Sequence, residues 1–348
     1  MYSIEKVIKS VSEYKVYKNY LGYKDTASLK EKTLYLNGKP ISNAITEFSF
    51  FNKKLFFSNW NNEVFKYDLV TGNIIKTEYK QVSVLSDSNK LILKKDNLFS
   101  DILLFNNKIY TIKNELIVMK SYIHNELLFN ANGHISSYHI PTAHPLWQFD
   151  LSQLGTFQDY HNEQQSYKVE KILGIHNEHL YVALNGSLLL ELDIATGKIT
   201  HKWHHLPEKY KEYPDDDFSA RLFDLDKANN ALVCLSGRRY DSIDLQTKEY
   251  NSVYIGEELK KSDIVSIRHQ GDFTNEHISA VAHLKNDTWF QDGIVMFNRK
   301  TNKIDFFYKD ETFTTGTATP KLAGNKLYQL DLDGNLYIFE KGENNIQT

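Results

Sequence analysis

The chain has 348 residues, with 41 Lys and Arg against 44 Asp and Glu, a formal net charge of -3, and a single cysteine, Cys234. Without a basic excess to neutralise a phosphate backbone, a general nucleic-acid binder is disfavoured. One cysteine excludes a disulfide framework and any multi-cysteine zinc or iron–sulfur site, and 41% hydrophobic content excludes wholesale disorder. Length alone suggests two domains or one large β domain. The excess of Tyr (22) and Phe (20) over Pro (6) favours many strands.

In chain order, residues 1–14 place Ile4, Val7, Ile8, Val11 and Tyr14 at helical spacing, which predicts a short helix inside an N-terminal extension covering 1–32. This segment lacks an apolar h-region and a small-residue cleavage site, because Glu5 and Lys9 interrupt it. No stretch approaches the ~18 apolar residues of a membrane span. The expectation is a cytoplasmic protein with no membrane partner.

From residue 33 onward the chain repeats. A strand ends at Asp68, and Thr71 and Gly72 follow; the same order recurs at Asp193, Thr196 and Gly197, at Asp244 and Thr247, and at Asn298 and Thr301. The carboxylate or amide can accept hydrogen bonds from the reversing backbone, the Thr hydroxyl can do the same, and Gly supplies positive φ. An aromatic follows each turn: Tyr79, Trp203, Tyr254 and Tyr308. These Asp residues read as turn formers rather than catalytic carboxylates.

With weaker anchors near Tyr110, Asp150 and Glu340, seven units recur at intervals of roughly 40–54 residues, about one four-stranded blade each. The last unit offers three strands, and the strand at Thr33–Asn37 is the candidate to complete it. The predicted architecture is all-β: a seven-bladed β-propeller of four-stranded antiparallel blades over 33–341, closed by an N-terminal strand in the last blade, with a tail at 342–348.

Other clusters point away from chemistry. His176 and His179 flank a hairpin turn, and alternation sends His204 and His205 to opposite strand faces, so neither group reads as a metal site. Asp331-Leu-Asp333-Gly334-Asn335 lacks the Glu and the third oxygen ligand of a calcium loop, and Asp-Gly between two strands signals a hairpin. No P-loop, dinucleotide fingerprint or nucleophile elbow is present, so no catalytic, cofactor-binding or metal residue is assigned and no cofactor is expected. The two longest intervals contain insertions whose acidic and aromatic residues are the candidate partner-binding face: Tyr213, Asp215, Asp216, Asp217, Trp289 and Phe290.

The run Leu192-Asp193-Ile194-Ala195-Thr196-Gly197-Lys198 followed by Trp203, and more loosely residues 67–79, resembles the repeat of the PQQ-like (quinoprotein-dehydrogenase-like) β-propeller superfamily. By period the resemblance covers about 33–341. It implies the propeller fold and says little about function, since such propellers include enzymes, assembly scaffolds and sensor domains. The superfamily's quinone- and calcium-binding dehydrogenases are longer, exported and usually eight-bladed, and many carry a vicinal cysteine pair. Its outer-membrane assembly lipoproteins carry a lipobox cysteine near the N-terminus, whereas Cys234 lies mid-chain.

The function these features predict is non-enzymatic protein binding by a chain that is monomeric when free. Its sharpest form is a bacterial immunity protein that neutralises a co-encoded toxin by covering it. The competing class is an enzyme or small-ligand binder, of hydrolase, lyase or lactonase type, built on residues that converge in the central channel.

Overall fold

The computed structural model describes residues 2–28, 31–83, 90–104, 108–116, 120–159, 161–204, 218–285, 291–310, 313–316 and 318–342. Among them are eight four-stranded antiparallel sheets and one two-stranded sheet. We call the eight sheets blades 1–8: residues 11–42, 45–76, 81–113, 121–150, 169–203, 224–254, 264–309, and 321–341 together with Tyr2–Ile8. The two-stranded sheet pairs Thr156–Gln158 with Gln164–Ser166. The chain divides into two compact units, one comprising 1–45 and 228–348, the other 46–227. The α-helix among the described residues is Gly256–Lys260, and none of their helices is long and apolar enough to cross a membrane.

The all-β propeller stands, but the expectation of seven blades is corrected to eight. The additional sheet is blade 1, whose strands are Val11–Tyr17, Tyr20–Asp25, Leu34–Leu36 and Lys39–Ser42. Its last two strands are joined by Asn37 and Gly38, both at positive φ (49° and 81°), a two-residue hairpin loop. That turn carries no Asp and Thr, so counting anchors of the repeated turn passes over it.

The closing strand is corrected as well. Leu34–Leu36 belongs to blade 1, and it is Tyr2–Ile8 that completes blade 8, running antiparallel to Leu336–Lys341 from Tyr2↔Lys341 to Ile8↔Leu336.

In place of the predicted N-terminal helix there are two strands, one in blade 8 and one in blade 1. Ser10, at φ 60°, turns the chain between Tyr2–Ile8 and Val11–Tyr17. Register shifts between Ile4 and Lys6, and between Val11 and Glu13, break the two-residue alternation. A bulged strand of β-branched and aromatic residues then imitates helical spacing. Val11 is fully buried while Ile4 is 45% exposed, which a single apolar helical stripe would not give.

The repeated turns share one geometry. The Asp68 carboxylate accepts from the Val70 and Thr71 amides, at 2.9 Å each. Asp193 accepts from the Thr196 amide (2.8 Å) and hydroxyl (2.7 Å). Asp244 accepts from Gln246 and Thr247 (both 2.8 Å), and Asn298 from Lys300 (2.9 Å) and Thr301 (3.1 Å). The residue after each Thr donates to the carbonyl of the anchor and sits at positive φ: Gly72, Gly197, Lys248 and Asn302. The anchor carboxyls are held below the ordinary carboxylate range, Asp68 and Asp244 by the Thr amides first, Asp193 by the Thr196 hydroxyl first.

Residues 331–335 form a further turn. Asp331 accepts from the Asn335 amide at 2.7 Å and from its side-chain nitrogen at 2.8 Å.

Within each unit the core lies between neighbouring sheets, so central strands are buried on both faces. Leu188-Leu189-Leu190-Glu191-Leu192 shows this continuous run. In one such layer Phe129 and Ile135 of blade 4 pack with Leu180, Val182, Leu190 and Leu192 of blade 5, each worth ~1.5–3 kcal/mol relative to exposure. Cys234 is buried, and in no disulfide, in the strand Ala231–Ser236 of blade 6.

Candidate functional site

The residues first singled out for partner contact, Tyr213, Asp215, Asp216, Asp217, Trp289 and Phe290, lie outside the described residues. The histidines disperse. His179 donates through Nδ1 to the Asn177 carbonyl at 2.7 Å and faces buried Glu191 with Nε2 at 3.4 Å. His201 packs against Trp203, with ring centroids 4.4 Å apart. His204 reaches the Tyr167 hydroxyl at 3.4 Å. Among the described residues no group of three or more His, Cys, Asp or Glu is placed to hold a metal ion.

Composition and motif gave no sign of the feature that the geometry brings forward, a cleft between blades 2 and 3. Blade 2 has the strands Ile45–Phe51, Lys54–Asn59, Val64–Asp68 and Ile74–Lys76; blade 3 has Gln81–Ser83, Lys90–Lys94, Phe99–Leu104 and Ile109–Lys113. Register aligns Phe56, Lys66 and Ile75 across blade 2, and Leu91, Leu103 and Ile109 across blade 3. Cross-strand partners share a face, so each row runs from buried to open. Phe56 and Leu91 are buried, Lys66 and Leu103 half-buried, Ile75 54% exposed and Ile109 56% exposed.

The inner parts of the rows pack with Phe51, Val64, Val82 and Leu93. Farther out the two sheets leave a cavity of about 260 Å³, walled by Phe51, Phe56, Leu93, Leu103 and Ile109.

Tyr79, the aromatic that follows the Asp68 turn, forms one side of this cleft. The Thr77 hydroxyl donates to the Val64 carbonyl at 2.9 Å and accepts from the Tyr79 amide at 3.3 Å, which fixes the approach to Tyr79. The Tyr79 hydroxyl donates to Asp101 at 2.8 Å, and Thr111 donates to the other Asp101 oxygen at 2.6 Å. Burial, then the Asp101 hydrogen bond, push the Tyr79 phenol well above its ordinary value, so it remains a neutral donor.

Charge enters the cleft as lysines. Lys54, Lys66 and Lys108 line it, and among the described lining residues no carboxylate does. Lys54 lies opposite Asp68 in register. Lys108 is bound to Glu126, which also accepts from the Tyr110 hydroxyl and is held below its ordinary range by Lys108 first and Tyr110 second. Lys66 makes no hydrogen bond or ion pair among the described residues, although it is half-buried beside Phe56. An apolar-walled cleft with an ammonium that lacks an ion pair is equipped to bind a group that joins an apolar and an anionic part. Ile74 and Ile75, on the outer strand of blade 2, are both exposed.

A second cavity, of about 650 Å³, is lined by Ser262, Asp263, Leu284, Lys285, Gln291, Lys309 and Asp310. Of these, Lys285 and Gln291 flank 286–290 in sequence and Asp310 precedes 311–312, two stretches outside the described residues.

No protein-family profile matches the chain, and no curated protein matches it in sequence. Solved structures do match in fold. BamB from Moraxella catarrhalis aligns with 98% of this chain and 100% of its own at TM-score 0.54 and 12% identity. The computationally designed protein Ika8 aligns over 97% and 98% at TM-score 0.55 and 11% identity. Sqt1 from Saccharomyces cerevisiae aligns over 98% of both chains at TM-score 0.55 and 10% identity. At such identities the likeness establishes the fold alone.

Proposed function

We propose that the chain is a non-enzymatic protein-binding β-propeller whose contact surface includes the cleft between blades 2 and 3. The observation that carries this reading is the cleft itself: apolar walls, Ile75 and Ile109 more than half exposed at the outer strands, and the uncompensated Lys66. Exposed aliphatic side chains beside an apolar cavity are the anchor-receiving geometry of protein interfaces.

The finer reading is a toxin-neutralising immunity protein acting in the cytoplasm, which would block its partner by covering it. It takes support from the acidic excess of the chain and from the Asp215–Asp217 run, which would speed association with a basic partner.

The test is recovery of the tagged chain from its native cells with quantification of what co-purifies. One protein bound stoichiometrically at nanomolar affinity is the expected result, and growth rescue on co-expression with that protein would support the immunity form. Turnover of a small molecule without any protein partner would contradict the proposal.

A further inference from the structure

The cleft is small, and its charge is specific. About 260 Å³ lies below the ~300–1,000 Å³ of a typical small-ligand pocket, so it suits one or two side chains rather than a cofactor or a folded element. Its walls are Phe51, Phe56, Leu93 and Leu103. Of its three ammonium groups, that of Lys108 is bound to Glu126, and that of Lys54, though in no ion pair among the described residues, attracts the Asp68 carboxylate opposite it in register; Lys66 stands opposite Phe56 and Ile75 with neither, which leaves it as the charge to be met. A single surplus positive charge beside apolar walls complements one carboxylate next to one apolar group. The strand beyond Lys66, Ile74–Lys76, is the edge of its sheet and is exposed at all three residues, so an extended segment can run alongside it.

We propose that this cleft anchors an extended segment of the partner protein that presents an aliphatic side chain and a carboxylate two residues apart. The aliphatic group lodges against Phe56 and Leu103, and the carboxylate pairs with Lys66. Side chains two apart on an extended chain point the same way, which lets one segment deliver both groups. The proposal rests on the protein-binding reading above and adds the partner's chemistry to it.

The experiment titrates the full chain with fluorophore-labelled acetyl-Thr-Leu-Thr-Glu-Thr-amide by polarisation. The controls are the same peptide with Gln for Glu or with Ala for Leu. The parent peptide should bind at high-micromolar to millimolar affinity, and each control should bind about tenfold more weakly, a loss of ~1.4 kcal/mol. Lys66→Gln should remove the preference for Glu over Gln, and Lys66→Arg should retain most of it. Because Lys66 is half-buried, unchanged circular dichroism and thermal melting of both variants would show that the fold is intact.

Equal binding of the Glu and Gln peptides, no effect of Lys66→Gln, or no binding of the parent peptide would overturn the proposal. So would Lys66-dependent binding to phosphatidylglycerol vesicles in place of the peptide. Repeating the native-cell recovery with Lys66→Gln separates the two claims. A partner held with undiminished affinity refutes the anchor and leaves the protein-binding reading standing. If the wild-type chain captures no partner, the broader reading fails and the peptide titration judges the cleft alone.

Discussion

The junction between blades 7 and 8 and the junction between blades 2 and 3 each receive an aromatic from the strand or segment that follows a repeated turn, Tyr308 in one and Tyr79 in the other. Around Tyr308 the space is filled by rings. Phe313, Tyr337 and Phe339 lie with centroids 5.8, 5.8 and 5.0 Å from it, and Phe306 meets both Tyr2 (5.4 Å) and Phe339 (5.6 Å). Around Tyr79 the following blade presents Leu93, Leu103 and Ile109, and a cavity remains. Aromatic side chains fill far more of such a gap than aliphatic ones. The repeat thus places a ring at the outer part of a junction, and the next sheet decides whether that junction closes.

The largest difference between the two should appear on truncation. Phe339→Ala, at a fully buried position, is expected to cost ~3–5 kcal/mol, whereas Leu103→Ala beside an existing cavity should cost no more than ~2 kcal/mol. Urea unfolding of the two variants measures this; equal losses would mean that the blade 2–blade 3 junction is as tightly packed as the other.

Next come the turns. A Cβ on Gly197 would fall 2.4 Å from the Trp147 ring, which is itself fixed by its indole N–H donating to the Ile194 carbonyl at 2.7 Å; a Cβ on Gly72 would meet only the Tyr67 hydroxyl at 3.6 Å. Both glycines have positive φ (69° and 75°). Gly72→Ala should therefore lose ~1 kcal/mol from backbone strain alone, and Gly197→Ala should exceed that, at ~3 kcal/mol. Thermal melts of the pair would show the order, and a reversed order would contradict the packing of Trp147 over that turn.

Acid should distinguish the Asp turns from the Asn298 turn. The folded carboxyl of Asp193 lies below its ordinary value because the Thr196 hydroxyl and amide donate to it. The stability this gives is complete above the unfolded value near pH 4 and is lost as the pH falls through the depressed folded value. Asp193→Asn should keep the hydrogen bonds, as Asn298 does, and flatten the fall in urea midpoint below about pH 4. An unchanged pH profile would show that Asp193 does not contribute to acid sensitivity.

The smallest expected change is Lys66→Gln, within about 0.5 kcal/mol in stability. A larger loss would mean that the ammonium supports the fold rather than awaiting a partner.

Much of the fold was legible because the repeated turn is local chemistry. Asp193, Thr196 and Gly197 declare their hairpin whatever surrounds them. Blade 1 escaped because its hairpin uses Asn37 and Gly38 instead, and because bulges near Ile4 and Val11 gave two strands a helical period. The cleft was not legible. It depends on how Phe56, Lys66 and Ile75 stand against Leu103 and Ile109, a relation between two sheets that neither segment encodes by itself.

The central claim is that a partner protein seats at the open junction, and site-specific photo-crosslinking in the native cell tests it most directly. A photoreactive side chain at Ile109, beside the cleft, is compared with one at Ile4, an exposed aliphatic on the outer strand of blade 8. The account predicts one discrete crosslinked protein from position 109 that is diminished by Lys66→Gln, and none from position 4. Equal crosslinking from both positions, or none from 109 while a partner still co-purifies, would contradict it.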